Sequence, residues 1–264
     1  MPRVRLTVAY EGTDFHGWQA QHPPDAEPLR TVQGVLAETL VHVLRQPIVV
    51  TGASRTDAGV HALGQVAAFD AAFSMPIERL PLAITSRLPE DVQVRDASIA
   101  PDDFDPIAGA ESKSYRYRLA SAIPPDRWPP LLDRRTIAWT RASLELARMQ
   151  DAAQRLVGEH DFAGFAQIDH GRRTTVRTIH ACEVREPSPG SFEIDVAGSG
   201  FLYNMVRIIA GTLHEVGRGR CEPDRVDEIL RSGDRRLAGP TMPPHGLCLM
   251  WIRYPGDPPP RATA

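Results

Sequence analysis

The densest run of chemically useful side chains in this sequence is GASRTDAGVHALG, residues 52–64. It places a cation, a carboxylate and an imidazole, Arg55, Asp57 and His61, in a stretch with three glycines and neither helical nor strand period. A carboxylate beside a cation in a cleft can act as a nucleophile or a base, because the neighbouring charge favours its ionised form while burial opposes it. The same residues also suit a plain connection, with Asp57 making an Asx turn and Arg55 in a surface pair. Several enzyme templates fail here. Glycoside hydrolysis uses two carboxylates, and the loop offers one. The phosphate loop G-x-x-x-x-G-K-[ST] does not occur. Gly52-Ala53-Ser54-Arg55-Thr56 lacks the closing glycine of a serine nucleophile elbow. Cys182, Cys221 and Cys248 are far apart and odd in number, which argues against a disulfide framework and a paired-cysteine zinc site. No metal and no cofactor are expected.

Two further groups could take part. Over residues 201–217, Leu202, Met205, Val206, Ile209, Leu213 and Val216 fall on one stripe at helical spacing, and Tyr203, Arg207 and His214 fall opposite. Gly211 lies on that polar side and permits close approach of another segment. A polar stripe is most simply a solvated face; a cleft position for Arg207 is the alternative. In SYRYRLA, residues 114–120, Tyr115 and Tyr117 alternate with Arg116 and Arg118. Tyrosines so placed can stack on bases or simply pack a sheet face. Arginine is bunched at Arg172, Arg173 and Arg177 and again at Arg207, Arg218 and Arg220, so a basic cleft is compatible with a net charge of −3 and a pI near 6.3.

The elements that must carry these residues read as follows. Residues 3–10 alternate as a half-buried strand, and 31–46 have helical spacing with Thr31 as the cap and Pro47 as the stop. Strands at 48–51, 65–69 and 92–99 and a helix from about 76 to 88 complete a β-α-β-β-α-β set, the split βαβ or ferredoxin-like arrangement. The second half repeats that order: a strand at 114–120, a helix at 141–157, strands at 177–185 and 191–197, a helix at 201–217 and a short one near 224–232. A last strand, 247–254, is apolar on both faces. The fold class is α+β, with two tandem ferredoxin-like domains whose antiparallel sheets meet around a central cleft. The domains are expected at 1–105 and 106–255, with IPPDRWPP at 123–130 a surface loop and 256–264 a disordered tail. No apolar run reaches membrane-span length, and MPRVRLTVAYEG begins as a strand with no signal-peptide pattern, so a cytoplasmic protein is expected.

Across nearly its whole length the chain resembles the tRNA pseudouridine synthase A family. The resemblance runs through YEGTDFHGWQAQ (10–21), GASRTDAGVHALGQVAAF (52–69), SKSYRYRL (112–119), GEHDFAGFA (158–166), GSGFLYNMVRIIAGTLHEVGRG (198–219) and AGPTMPPHGLCLMWIRY (238–254). R-T-D-A-G-V-H and F-L-x-x-M-V-R are its most specific parts. It implies an isomerase converting uridine to pseudouridine around positions 38 to 40 of the tRNA anticodon arm, two ferredoxin-like domains, and a homodimer that binds tRNA. It implies that Asp57 is the essential aspartate, that Arg55 is the arginine of the same loop and that Arg207 pairs with the aspartate. It implies also that Tyr115 covers the uracil ring and that Leu247 lines the base pocket. One departure is Phe104-Asp105-Pro106-Ile107, where the family commonly has F-H-A-R; a phosphate contact is expected to be missing or moved there.

Overall fold

A computed structural model describes residues 1–21, 27–122, 128–167 and 174–258. The chain is a mixed α+β protein whose strand pairings are mostly antiparallel. It divides into two compact units, one made of residues 1–111 with 249–264, the other of residues 112–248.

The first unit contains, in chain order, β1 (Arg3–Tyr10), α1 (Val32–Leu44), β2 (Thr51–Gly52), β3 (His61–Asp70), α2 (Leu80–Thr85) and β4 (Val92–Ala100). β1 runs antiparallel between β3 and β4, and its alternate residues Val4, Leu6 and Val8 are wholly buried, as the period-2 pattern requires. Thr31 caps α1 through its hydroxyl, which accepts the Gly34 N–H at 3.3 Å, and Val32, Leu36 and Leu40 form the buried stripe. The strand expected at 48–51 shrinks to the two residues of β2. The Val50 carbonyl, which a longer ladder would use, accepts instead from the Gln33 side chain at 2.8 Å. The helix expected from 76 to 88 is a 3-10 turn, Ile77–Arg79, leading into the six residues of α2.

The second unit contains β5 (Ser112–Ser121), β6 (Ala138–Thr140), α3 (Leu146–Gln154), β7 (Gly158–Asp161), β8 (Val176–Ser188), β9 (Ser191–Gly198), α4 (Met205–Gly217) and α5 (Arg225–Ser232). Its strands lie in the order β5-β9-β8-β7, with β6 parallel on β5. Tyr115, Tyr117 and Leu119 stand opposite Val196, Ile194 and Phe192 on the buried face. On the other face Arg116 binds Asp195 at 2.7 Å and Glu193 at 3.4 Å. β6 and β7 are absent from the sequence reading. The last strand, β10 (Leu247–Arg253), starts in this unit, and from Leu249 it belongs with the first, beside β3.

The division therefore falls after Glu111 rather than after residue 105, and the last strand leaves the domain expected at 106–255. Residues 256–258, the start of the expected tail, include Asp257, which contacts the first unit. Asp257 accepts two hydrogen bonds from Arg5, each 2.7 Å, and Arg5 lies over the Tyr254 ring at 4.5 Å. Residues 259–264 of that tail and residues 123–127 of the proline-rich loop lie outside the described residues. Asp105, the acid in the unusual junction segment, accepts the N–H groups of Ile107 and Ala108 at 2.7 and 3.0 Å, which hold its carboxyl below the usual range.

Candidate active site

Asp57 sits in the loop between β2 and β3, half-buried, beside buried Thr56 and exposed Arg55. Its backbone carbonyl accepts the Val60 N–H at 3.1 Å, closing a turn whose third residue, Gly59, has φ +79°. That value is what a type II turn demands at this place, and glycine meets it without a Cβ clash. The turn is fixed by a second loop, residues 11–18. The Trp18 N–H donates to the Thr56 carbonyl at 3.1 Å and the Gly59 N–H to the Phe15 carbonyl at 3.3 Å. The hydroxyls of Tyr10 and Thr56 share a buried 2.7 Å hydrogen bond.

Gly17, at φ +92°, lets that second loop press so closely that a Cβ there would lie 2.6 Å from the Thr56 carbonyl oxygen. A Cβ at Gly52 would meet the Trp18 ring at 2.1 Å. These contacts give the glycine content of the loop a role in packing against protein. On the far side Gln65, wholly buried, holds Ser54 twice, accepting its N–H at 3.2 Å and donating to its carbonyl at 2.6 Å. His61 is buried, and its Nδ1 accepts the Gly12 N–H at 2.9 Å, which places the proton of the neutral ring on Nε2. The imidazole thus ties the two loops together. Arg55 is exposed, so the influence of its charge on Asp57 is screened by solvent.

The remaining candidates lie in the second unit. Tyr115 is buried on β5, edge-on to Phe201 with ring centroids 5.1 Å apart. Arg207 occupies the first turn of α4. Its Nε donates to the Met242 carbonyl and its Nη1 to Asn204 Oδ1, both at 2.7 Å, and its own carbonyl accepts the Met242 N–H at 3.2 Å. The arginine therefore anchors the segment that leads to Leu247. From the sheet, Tyr117 anchors the same segment, its hydroxyl donating to the Pro243 carbonyl at 2.9 Å. Burial pushes the Tyr117 phenol well above the usual tyrosine range, with the Arg207 charge acting the other way, so Tyr117 stays a neutral donor. A Cβ at Gly246 would lie 2.6 Å from the Tyr117 ring, so this segment crosses the ring at a place only glycine fits. Leu247, next in the chain, is buried at 6 % exposure.

The expected polar stripe of α4 separates into different fates. Tyr203 is exposed, while His214 is buried against Thr140, its Nε2 lying 3.0 Å from that hydroxyl, with Nδ1 3.2 Å from Glu215. Burial chiefly lowers its pKa, Glu215 opposing. The segment admitted by Gly211 is the chain itself: a Cβ there would fall 1.8 Å from the Pro240 carbonyl oxygen. Arg172 and Arg173 lie outside the described residues. Residues the sequence reading missed are Tyr10, Trp18 and Gln65 around Asp57, and Asn204 and Tyr117 around Arg207. Only Tyr117 carried a signal, its alternation with Tyr115. Among the described residues no cluster of three His, Cys, Asp or Glu side chains is placed to hold a metal ion, and no helix is long and apolar enough to cross a membrane.

Comparison with known proteins adds a family. A family model described as tRNA pseudouridine synthase matches residues 6–107 and 152–255. The chain is 44% identical over 255 residues to a tRNA pseudouridine synthase A from Geotalea uraniireducens, covering 96% of this chain and all of the relative. It is 40% identical over 255 residues to that of Geobacter sulfurreducens, with the same coverage, and 41% identical over 261 residues to that of Myxococcus xanthus, covering 99% of this chain and 95% of the relative.

Proposed function

This chain belongs to the tRNA pseudouridine synthase family, and from that premise we propose that it isomerises uridine in the anticodon stem-loop of tRNA, at positions 38 to 40, with Asp57 as the catalytic carboxylate. It is an RNA uridine isomerase. The observation that supports Asp57 best is the clamp around it: a half-buried carboxylate on a turn held by Tyr10, Trp18, Gly17 and Gln65 is pre-organised, and a catalytic group needs that fixity. In this reading the chain folds as two tandem ferredoxin-like domains around a central cleft, acts as a cytoplasmic homodimer and binds the tRNA anticodon arm.

The reaction breaks the bond from uracil N1 to ribose C1′, turns the detached base and joins C1′ to C5. The C5 hydrogen leaves as a proton and N1, freed of the ribose, takes one up, so the product is an isomer and no redox step is needed. A stacked base is out of reach, so the uridine is flipped from the anticodon arm. The Tyr115 ring covers the uracil and Leu247 supplies an apolar wall. The ionised Asp57 attacks C6 or C1′ as a nucleophile, or takes a ribose proton as a base. The charge of Arg207, assigned to pair with the aspartate, favours that ionised form in a partly dry site, with Arg55 adding a screened contribution. Excluding water protects the activated C1′ from hydrolysis to an abasic site.

The test is tritium release from tRNA carrying 5-tritiated uridine, for the native protein and for Asp57→Asn. Release by the native protein and none by a folded, tRNA-binding variant is expected. Appreciable turnover by Asp57→Asn removes the aspartate from its role.

A further inference from the structure

Asn204 combines two departures from the way a helix normally starts. It is the N-cap of α4, yet its backbone lies in the left-handed region, φ 59° and ψ 6°, and its side chain makes no capping hydrogen bond. Asparagine is among the best N-cap residues because its side-chain oxygen accepts an N–H of the first turn from an extended backbone. Here that oxygen is diverted to Arg207 Nη1 at 2.7 Å. The guanidinium can only donate, so the amide orientation is fixed: Oδ1 toward Arg207, and Nδ2 toward Gln167 Oε1, to which it donates. Gln167 in turn is held by its own N–H, which donates to the Tyr203 carbonyl at 3.3 Å. Among the described residues only Asn204 and Arg45 combine a side chain with positive φ. Asparagine tolerates this conformation better than most residues, but at some cost, and such cost concentrates at functional sites.

We infer that Asn204 is a positioning residue for the isomerisation: its left-handed cap aims the amide at the Arg207 fork, and Gln167 fixes the amide. The inference rests on the proposed role of Arg207. With Nε held by the Met242 carbonyl and Nη1 by Asn204, two non-parallel hydrogen bonds fix both the position and the plane of the guanidinium. Without Asn204 the guanidinium loses the bond at Nη1 that, with the one at Nε, sets its plane, and a small misplacement of a charge partner slows the chemical step more than it weakens substrate binding.

The experiment is steady-state tritium release with Asn204→Gly, Asn204→Asp and Arg207→Lys, and with the Asn204→Gly/Arg207→Lys double variant, alongside thermal melts. Glycine adopts the left-handed cap without a Cβ, so Asn204→Gly keeps the fold. Expected is a fall in kcat of about tenfold with KM for tRNA within about twofold, as for an interaction felt in the transition state. Asn204→Asp keeps an acceptor for Arg207 but loses the Nδ2 donor that Gln167 Oε1 accepts, so its kcat lies between those of Asn204→Gly and the native protein. In the Arg207→Lys background the fork is gone, so Asn204→Gly costs nothing further. An unchanged kcat in Asn204→Gly, or an equal loss in both backgrounds, overturns the positioning role. Full activity of Arg207→Lys overturns the reading of Arg207 beneath it instead.

Discussion

The shared hydroxyl bond between Tyr10 and Thr56 offers a quantitative test of how the Asp57 turn is held. Both residues are buried, at 5 % and 7 % exposure, and the bond is 2.7 Å long. Tyr10→Phe removes one hydroxyl without changing the ring, so the packing against Trp18, at 6.1 Å between centroids, survives. The Thr56 hydroxyl is then buried with that partner lost, which costs about 1–3 kcal/mol. For a chain of this size that lowers Tm by several degrees, at about 2–4 °C for each kcal/mol. The loss falls on the residue next to Asp57, so kcat in the tritium assay should drop further than tRNA affinity. Thr56→Val alone should behave similarly. The double variant, in which both buried hydroxyls are gone, should be more stable than the sum of the single losses predicts. Additive losses in stability, or a Tyr10→Phe variant with native Tm and turnover, would refute the argument that this bond holds the turn.

Three further outcomes are expected. Arg207→Ala should lose far more activity than Arg185→Ala, because Arg185 is half exposed and pairs with Glu193 and Asp195 on its own sheet; equal losses in the tritium assay would detach Arg207 from the reaction. Arg5 holds the Asp257 carboxyl below its ordinary range, so the pair stabilises the fold above the unfolded-state value, about 3.9, and that contribution disappears as pH falls through the lower folded value. Asp257→Asn should therefore lower Tm at pH 7, and the gap from the native protein should close below about pH 4; a gap independent of pH would mean that packing alone matters there. Affinity for tRNA should fall linearly on a log–log plot against salt, as phosphate-bound counterions are released, and a flat plot would argue against a basic binding surface.

Long periodic elements were readable from the sequence because local pattern and tertiary role coincide in them. β1, α1 with its Thr31 cap, and the alternation in β5 all depend on residues within one element. Short strands were not. β6 and β7 exist because β5 and β8 supply ladders for them, and β2 stops early because Gln33, distant in sequence, takes a carbonyl. At the candidate site the residue types of the Asp57 loop were visible, but what holds them was not. Tyr10 is 46 residues from Thr56, and Gly12 is 49 from His61, and neither pairing leaves a periodic trace. His214 shows the opposite error: helical geometry placed it on a polar stripe, and Thr140, on a strand the reading lacked, buried it. Asn204 fell inside the helix read at 201–217, and only its torsion and partners reveal it as the left-handed cap of a helix that begins at Met205.

The return of residues 249–264 to the first unit sets an order of assembly on the ribosome. β3, the strand that leads out of the Asp57 turn, lies beside a strand that is synthesised almost last, and Gly64 there fits so closely that a Cβ would lie 2.4 Å from the Met250 carbonyl oxygen. The N-terminal unit therefore emerges first and stays unfinished while the whole of the second unit is made, with one edge of β3 unpaired by β10 throughout. The sheet that leads out of the Asp57 turn is therefore complete only once β10 has been made, and a chain that stops before Leu247 lacks that neighbour of β3.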